Sequence, residues 1–437
     1  MAVRVGRPVR VGRPTPAQWP HLADRCRRHS GDDAPDTECH DGAVTDPSEE
    51  TPGGDSSPST PASSRGDVAG GRAGQLAHTG LRPGWTTGSC ATAAASAAYT
   101  ALLTGDFPDP VTITLPKGQT PAFALTAEGR GTDADGPWAM AAVTKDAGDD
   151  PDVTHGAVIR VVVRAGAPGS GVTFEAGPGV GTVTLPGLPL AVGEPAINPV
   201  PRQMLTAHVE RIAAAHGATP DVVVRVGIDD GAQIATKTWN PRLGILGGLS
   251  VLGTTGIVIP YSCSSWIDSI HRGIDVARAL GHEHVAGCTG STSERVVTQL
   301  YDLPETCLLD MGDFVGAVLK HLRRHPVARL TICGGFAKLS KLAAGHLDLH
   351  SGRSQVDRSL LAQLAREAGG DAELAAAIEE ATTGLGALQL AQAAGIPLGD
   401  AVARRARDEA VAVLKGVPIA VDVVAIDRGG TVVGRSD

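Results

Sequence analysis

Aromatic side chains are scarce: 5 Phe, 5 Trp and 3 Tyr amount to 3% of 437 residues, while 56 glycines mark a chain with many tight loops. No run of about 18 apolar residues occurs, so no transmembrane helix is expected. Positive charge is not in excess either. With 38 Lys and Arg against 47 Asp and Glu, the net charge is −9, which argues against bulk binding to nucleic acid or to an anionic membrane. There is no CxxC pair, and the 7 cysteines, an odd number, are scattered, which suits a reducing cytoplasm better than a disulfide framework. A P-loop lysine and an HExxH zinc motif are both missing.

The length exceeds one ordinary core, so two folded domains are expected. Residues 1–79 read as a disordered tail. Its VRVGRP repeat at 3–8 and 9–14 is basic, with no apolar core for a signal peptide, and a polar stretch rich in Pro, Gly and Ser follows. Folded sequence starts with LRPGWTTGSCATAAASAA at 81–98, a Pro-Gly turn leading into an alanine helix. Thr86, Thr87 and Ser89 sit at its start, where free backbone N–H groups and the dipole favour an anion; a plain capped helix is the other reading.

An α+β domain is expected over 80–250. Strands are predicted at Val111–Leu115, Trp138–Thr144, Ala157–Arg164 and Val222–Ile228 from their alternation. The loop KDAGDDPDVTHG at 145–156 holds four aspartates and His155. It could bind a hard cation, could simply turn the chain, or could turn Lys145, Asp146 and His155 toward a substrate. Prolines at 195, 199 and 201 predict an extended ribbon from Gly193 to Arg202 ahead of a helix over Gln203–His216.

From 251 to 437 strands alternate with helices. Strands are predicted at Ile257–Pro260, His284–Cys288, Cys307–Met311, Arg329–Cys333 and Pro418–Ile426. Helices are predicted at Trp266–Leu280, Ser293–Tyr301, Phe314–Arg324, Lys338–Gly345, Asp357–Ala368 and Gly399–Lys415. This rhythm predicts an open, mostly parallel, Rossmann-like sheet, closed by an antiparallel edge strand after the turn at 427–430. Three glycine-rich loops, GCTGSTSE, DMGDFVG and CGGFAKLSK, each follow a strand and would line one crevice at the carboxyl ends. Gly287, Gly290, Ser291, Glu294 and Gly312 are therefore candidate nucleotide-binding positions, although Ser291-x-x-Glu294 also fits a capping box. Lys338 and Lys341 share a helix face after the third loop, as a solvated face or as a polyanion site. His346 and His350 have a metal-like spacing but lack the glutamate of HExxH, so no metal site is expected.

Seven motifs occur in order: LRPGWTTGSCATAAASAA, VTITLPKG, VTKDAGDDPDVTHG, GEPAINPVPRQM, GLSVLGTTGIVIPYS, MGDFVG and KLSKLAAGHLDLHS. Together they resemble the CbiD family of cobalamin biosynthesis, the cobalt-precorrin-5B (C1)-methyltransferases, over nearly everything from Leu81 onward. Gly334-Gly335 stands where the family often has Gly-His. The resemblance implies a cytoplasmic, S-adenosylmethionine-dependent C-methyltransferase that methylates C1 of cobalt-precorrin-5B to give cobalt-precorrin-6A. Cobalt arrives in the substrate, so no protein-bound metal is implied. Its carboxylates would meet Lys145, Arg202, Lys237, Arg242, Lys338 and Lys341, with the helix start at Thr86, Thr87 and Ser89. His155 or Asp146 would move a proton. A small-molecule phosphotransferase and a non-catalytic corrinoid carrier are the alternatives.

Overall fold

A computed structural model supplies the fold and describes residues 80–436; the tail expected over 1–79 lies outside the described residues. The alanine helix, Thr87–Thr104, is the axis of the N-terminal half. Small side chains let it bury nearly every face, with Ala91, Ala93, Ala94, Ala97 and Ala98 all fully covered. It ends at Gly105, whose φ of 92° supplies the left-handed cap and whose N–H donates to the Ala101 carbonyl. The helix packs against a five-stranded sheet and against the helix Pro199–Ala215.

The strands of that sheet lie in the order Ala127–Asp133, Gly136–Thr144, Val158–Ala165, Val222–Ile228, Val172–Ala176. All pairings are antiparallel except the last, Val222–Ile228 with Val172–Ala176. Val222, Val224, Val226 and Ile228 alternate into one core with Val161, Val163 and the alanine helix. Covering each such side chain contributes about 1.5–3 kcal/mol, which is why the alternation is legible beforehand.

Three differences from the sequence expectation have physical causes. Val111–Thr112 alone is strand and pairs with Ala122–Phe123; the Ile113 and Leu115 N–H groups still donate to the Pro121 and Gln119 carbonyls, but Pro121 has no N–H to complete the ladder. The edge strand Ala127–Asp133 carries two glycines and has no apolar alternation. Gly131 is there for room: a β-carbon would come within 2.9 Å of the Trp138 ring. The ribbon expected to reach Arg202 stops at Asn198, and the helix takes Pro199 and Pro201 into its first turn. Proline fits there because first-turn N–H groups have no intrahelical acceptor.

The C-terminal half holds a second five-stranded sheet, ordered Leu308–Asp310, His284–Cys288, Arg329–Gly335, Ala420–Ile426, Val432–Arg435. The first four are parallel and the last is antiparallel at the edge, as the turn at 427–430 predicts. In chain order the strands run 2-1-3-4-5 across the sheet, so the winding reverses between His284–Cys288 and Arg329–Gly335. Helices Ser264–Ala279, Ser291–Tyr301, Val315–Leu322, Phe336–Ala343, Arg358–Glu367 and Leu398–Leu414 match the expected set within a few residues. Two more, Ala372–Glu380 and Gly384–Ala393, escape the sequence reading because alanines and glycines blur their periodicity. Their caps are conventional: Asp371 and Thr383 accept from Leu374 and Gly386 N–H groups.

The two sheets have separate hydrophobic cores, one around Val161 and Val224, the other around Leu319, Leu330 and Val402. No helix among the described residues is long and apolar enough to cross a membrane.

Candidate functional site

At the start of the alanine helix two of the three expected anion donors, Thr86 and Ser89, have internal partners. Thr86 Oγ1 accepts from the Ser89 N–H at 3.3 Å, and Ser89 Oγ donates to the Gly256 carbonyl at 2.7 Å. The Gly88 N–H donates to the Leu252 carbonyl at 3.2 Å. Thr86, Thr87 and Ser89 are buried, so this cap seals the helix against the 252–256 loop.

The Asp-rich loop packs beside that cap, with the Trp85 N–H donating to the Asp146 carbonyl. Arg82 donates to both carboxylate oxygens of Asp146, at 2.5 and 2.9 Å. Those bonds, with one from the Gly148 N–H, hold Asp146 down to about 2, too low for a base near neutrality. His155 Nδ1 accepts from the Ala147 N–H at 3.1 Å, so the neutral ring carries its proton on Nε2. About half of the His155 side chain is exposed, 53%, and with the proton on Nε2 that nitrogen is a hydrogen-bond donor rather than an acceptor. Lys145 is 2% exposed and donates to Asp152 at 2.7 Å, while Asp152 also accepts from Thr154. Two of the aspartates thus close turns and ion pairs. Among the described residues no group of three or more His, Cys, Asp or Glu is arranged to hold a metal.

The glycine-rich loops of the second sheet do converge. Thr289 and Gly290 leave the His284–Cys288 strand and face Gly334 and Gly335 of the neighbouring strand, and Lys338 reaches across to donate to the Thr289 carbonyl at 3.3 Å. A β-carbon at Gly290 or Gly335 would meet nothing within 4 Å, so both border open space. Gly287 has another role: a β-carbon there would press on Met311 Sδ at 2.9 Å. Gly312, at φ 53°, makes a turn under the Trp266 ring. Ser291 opens the Ser291–Tyr301 helix, whose cap residue Gly290 has no side chain to offer.

Glu294 does not border that space as a free carboxylate. Arg242, from the N-terminal half, donates to both its oxygens at 2.7 and 3.0 Å, pairs with Glu305 at 2.9 Å and lies over Trp239. The capping box is not made either, since Ser293 rather than Ser291 bonds back, donating to the Gly290 carbonyl. Lys338 and Lys341 part company. Lys338 is partly exposed and stands 3.1 Å from Asp313, whereas Lys341 is buried and donates to the Leu349 carbonyl at 2.9 Å. Arg202 is turned away from the crevice and staples its own ribbon through Ile197, Pro195 and Glu194.

Contacts link the two motif regions across the connecting segment. The Tyr261 N–H donates to Asp150, Arg353 pairs with Asp348 and reaches Cys263, and the Leu349 N–H donates to the Asp313 carbonyl. Four sequence motifs far apart in the chain thereby become neighbours. The sequence reading passed over Asp310 and Asp313 within DMGDFVG in favour of its glycines. Asp310 ends a strand at the crevice, and burial first, with Glu294 adding, pushes its carboxyl up. Asp313 Oδ1 is buried and is the oxygen that stands 3.1 Å from Lys338 Nζ, an ion pair not aligned as a hydrogen bond.

The comparisons with known proteins agree with these motifs. The CbiD family model matches residues 75–260, and the model for the CbiD C-terminal domain matches 348–437. The cobalt-precorrin-5B C(1)-methyltransferase of Brucella anthropi is 58% identical over 81% of this chain and 95% of its own length. That of Paramagnetospirillum magneticum is 59% identical over 81% of this chain and 98% of its own. A crystal structure of a cobalamin biosynthesis protein (cbiD) from Archaeoglobus fulgidus is 27% identical, covering 62% of this chain and 83% of that one, with a TM-score of 0.35, too loose a superposition to bear on the fold. With 58–59% identity over 95–98% of the length of these relatives, and the family model matched over 75–260, the chain belongs to the CbiD family.

Proposed function

We propose that this protein methylates C1 of cobalt-precorrin-5B, giving cobalt-precorrin-6A in cobalamin biosynthesis, with S-adenosylmethionine as donor. The observation that carries this is the identity of 58–59% to named methyltransferases over 95–98% of their length. The second sheet supports it as a Rossmann-like domain over 251–437, with the α+β domain over 80–250 on the substrate side. In open α/β sheets ligands bind outside the carboxyl ends of the strands where the winding reverses. Here that point is flanked by Gly290 and Gly335, where backbone borders open space.

The residues present fit the donor. The crevice is lined by backbone at Gly290, Ser291 and Gly335, has helix N–H groups at Ser291, and has acidic groups at Asp310 and Asp313, the latter ion-paired with Lys338. Gly290, Ser291, Asp310 and Asp313 would hold it; Gly287 and Gly312 shape the floor, and Glu294 fixes the loop through Arg242. When bound, the donor supplies a sulfonium methyl for in-line displacement, and the protein's main task is near-attack alignment. Lys338, at the mouth of the crevice, would meet a substrate carboxylate. His155 would donate a hydrogen bond to the substrate through Nε2–H, in place of the base role expected for it or Asp146. The buried cysteines 90, 288, 307 and 333 are free thiols, in keeping with a reducing cytoplasm.

Incubation with cobalt-precorrin-5B and donor labelled in its methyl group tests the reading. One label per ring, at C1, and S-adenosylhomocysteine formation are expected. Unlabelled ring with intact donor would refute it, and transfer of phosphate from ATP would favour the phosphotransferase alternative.

A further inference from the structure

Outside the crevice, an open groove of about 540 Å³ runs between the helices Ser264–Ala279 and Val315–Leu322. That volume lies within the range of small-molecule sites. Its floor is a stack of three imidazoles: His271 on His321 at 4.3 Å between ring centres, and His321 on His325 at 4.5 Å. The middle ring is fixed by Asp275, 2.7 Å from His321 Nε2. Phe314 and Leu347 make the other end apolar.

The charges on the walls are unequal in their commitments. Every carboxylate there is paired: Asp275 with His321, Asp268 with Arg272, and Asp348 with Arg353. Lys320 and Arg324, exposed and one helical turn apart, have no acidic partner among the described residues. The groove thus offers an imidazole floor and two uncommitted cations. Its Leu347–Asp348 end is tied to the crevice region, where the Gly316 N–H donates to the Leu347 carbonyl and the Leu349 N–H to that of Asp313.

We infer that this groove docks one carboxylate-bearing edge of the cobalt-corrinoid substrate, with Lys320 and Arg324 taking its carboxylates. The inference rests on the methyltransferase reading above. A macrocycle rimmed with acetates and propionates matches both features, its ring edge against the imidazole and apolar lining and its carboxylates at the pair of cations. Its size leaves the rest of the ring outside the groove, on the side of Gly312 and Asp313. The imidazole stack supplies shape, and the two cations supply discrimination between acidic and amidated rings.

The test uses two probes, cobyrinic acid with free carboxylates and cobinamide with amidated ones, titrated calorimetrically against the full-length protein and its K320Q/R324Q variant. Both substitutions are on exposed side chains. Wild type should prefer cobyrinic acid, and the variant should lose about 3- to 10-fold in that affinity with cobinamide unaffected. In turnover, KM for cobalt-precorrin-5B should rise by a similar factor with kcat held. Equal losses for both probes, no loss for either, or no binding of cobyrinic acid by wild type would overturn the inference. A wild-type protein that binds cobyrinic acid with this preference but transfers no methyl group would instead refute the reading of function.

Discussion

The Arg242–Glu294 contact offers the sharpest test of how the two halves of this protein cooperate. Glu294 lies at the start of the Ser291–Tyr301 helix, and Arg242 comes from the loop before the linker, so the pair ties the N-terminal half to the crevice wall. The side chains are 26% and 12% exposed, which places the pair between a surface bridge and a buried one. Replacing Arg242 by Ala strips the partner from a mostly covered carboxylate and removes the packing on Trp239. Scaled down from a fully buried pair, and with the stack included, the loss is about 3 kcal/mol. Glu294→Gln should cost less, about 1 kcal/mol, because the amide oxygen still accepts from Arg242 and Glu305 still balances the guanidinium. Urea unfolding of wild type, both single variants and the double variant would close a thermodynamic cycle with a coupling energy of about 1–2 kcal/mol. Calorimetric titration with S-adenosylhomocysteine adds the functional arm. If Glu294 only fixes the loop, R242A should weaken binding more than E294Q, and the double variant no more than R242A alone. Loss of affinity in E294Q with none in R242A would refute the clamp and return Glu294 to direct contact with the donor.

Two further outcomes follow from the flanking loops. His155→Asn should keep an acceptor for the Ala147 N–H and so preserve the melting temperature, while kcat falls and KM holds; normal turnover would exclude a catalytic hydrogen bond from His155 Nε2–H. Lys341→Met should lower stability by about 1–2 kcal/mol in urea unfolding, because the Leu349 carbonyl loses a buried donor, and should leave KM for the corrinoid unchanged in the folded variant; a raised KM would return Lys341 to the substrate.

Local patterns in the sequence determined the parts of this protein governed by neighbours in the chain. Alternating valines in Val222–Ile228 and the parallel run His284–Cys288 were legible because strand periodicity reports which face is covered, and the observed bounds are the expected ones. Alanine content marked the first helix, and three glycine-rich loops after strands marked the crevice edge. Where propensity is flat, as in Ala372–Glu380 or the glycine-bearing edge strand Ala127–Asp133, packing alone chose the conformation. The same holds for the commitments of charged groups. From sequence, Lys338 and Lys341 share a face, yet a small rotation about the helix axis leaves one at the crevice mouth and buries the other on a carbonyl. Arg202, Arg242 and Glu294 all carry the right charge for ligands, but each meets a partner distant in the chain or held by a neighbouring turn. A side chain's type limits what it can bind, while its availability depends on which groups the tertiary fold places within about 3 Å, and no local pattern encodes that distance.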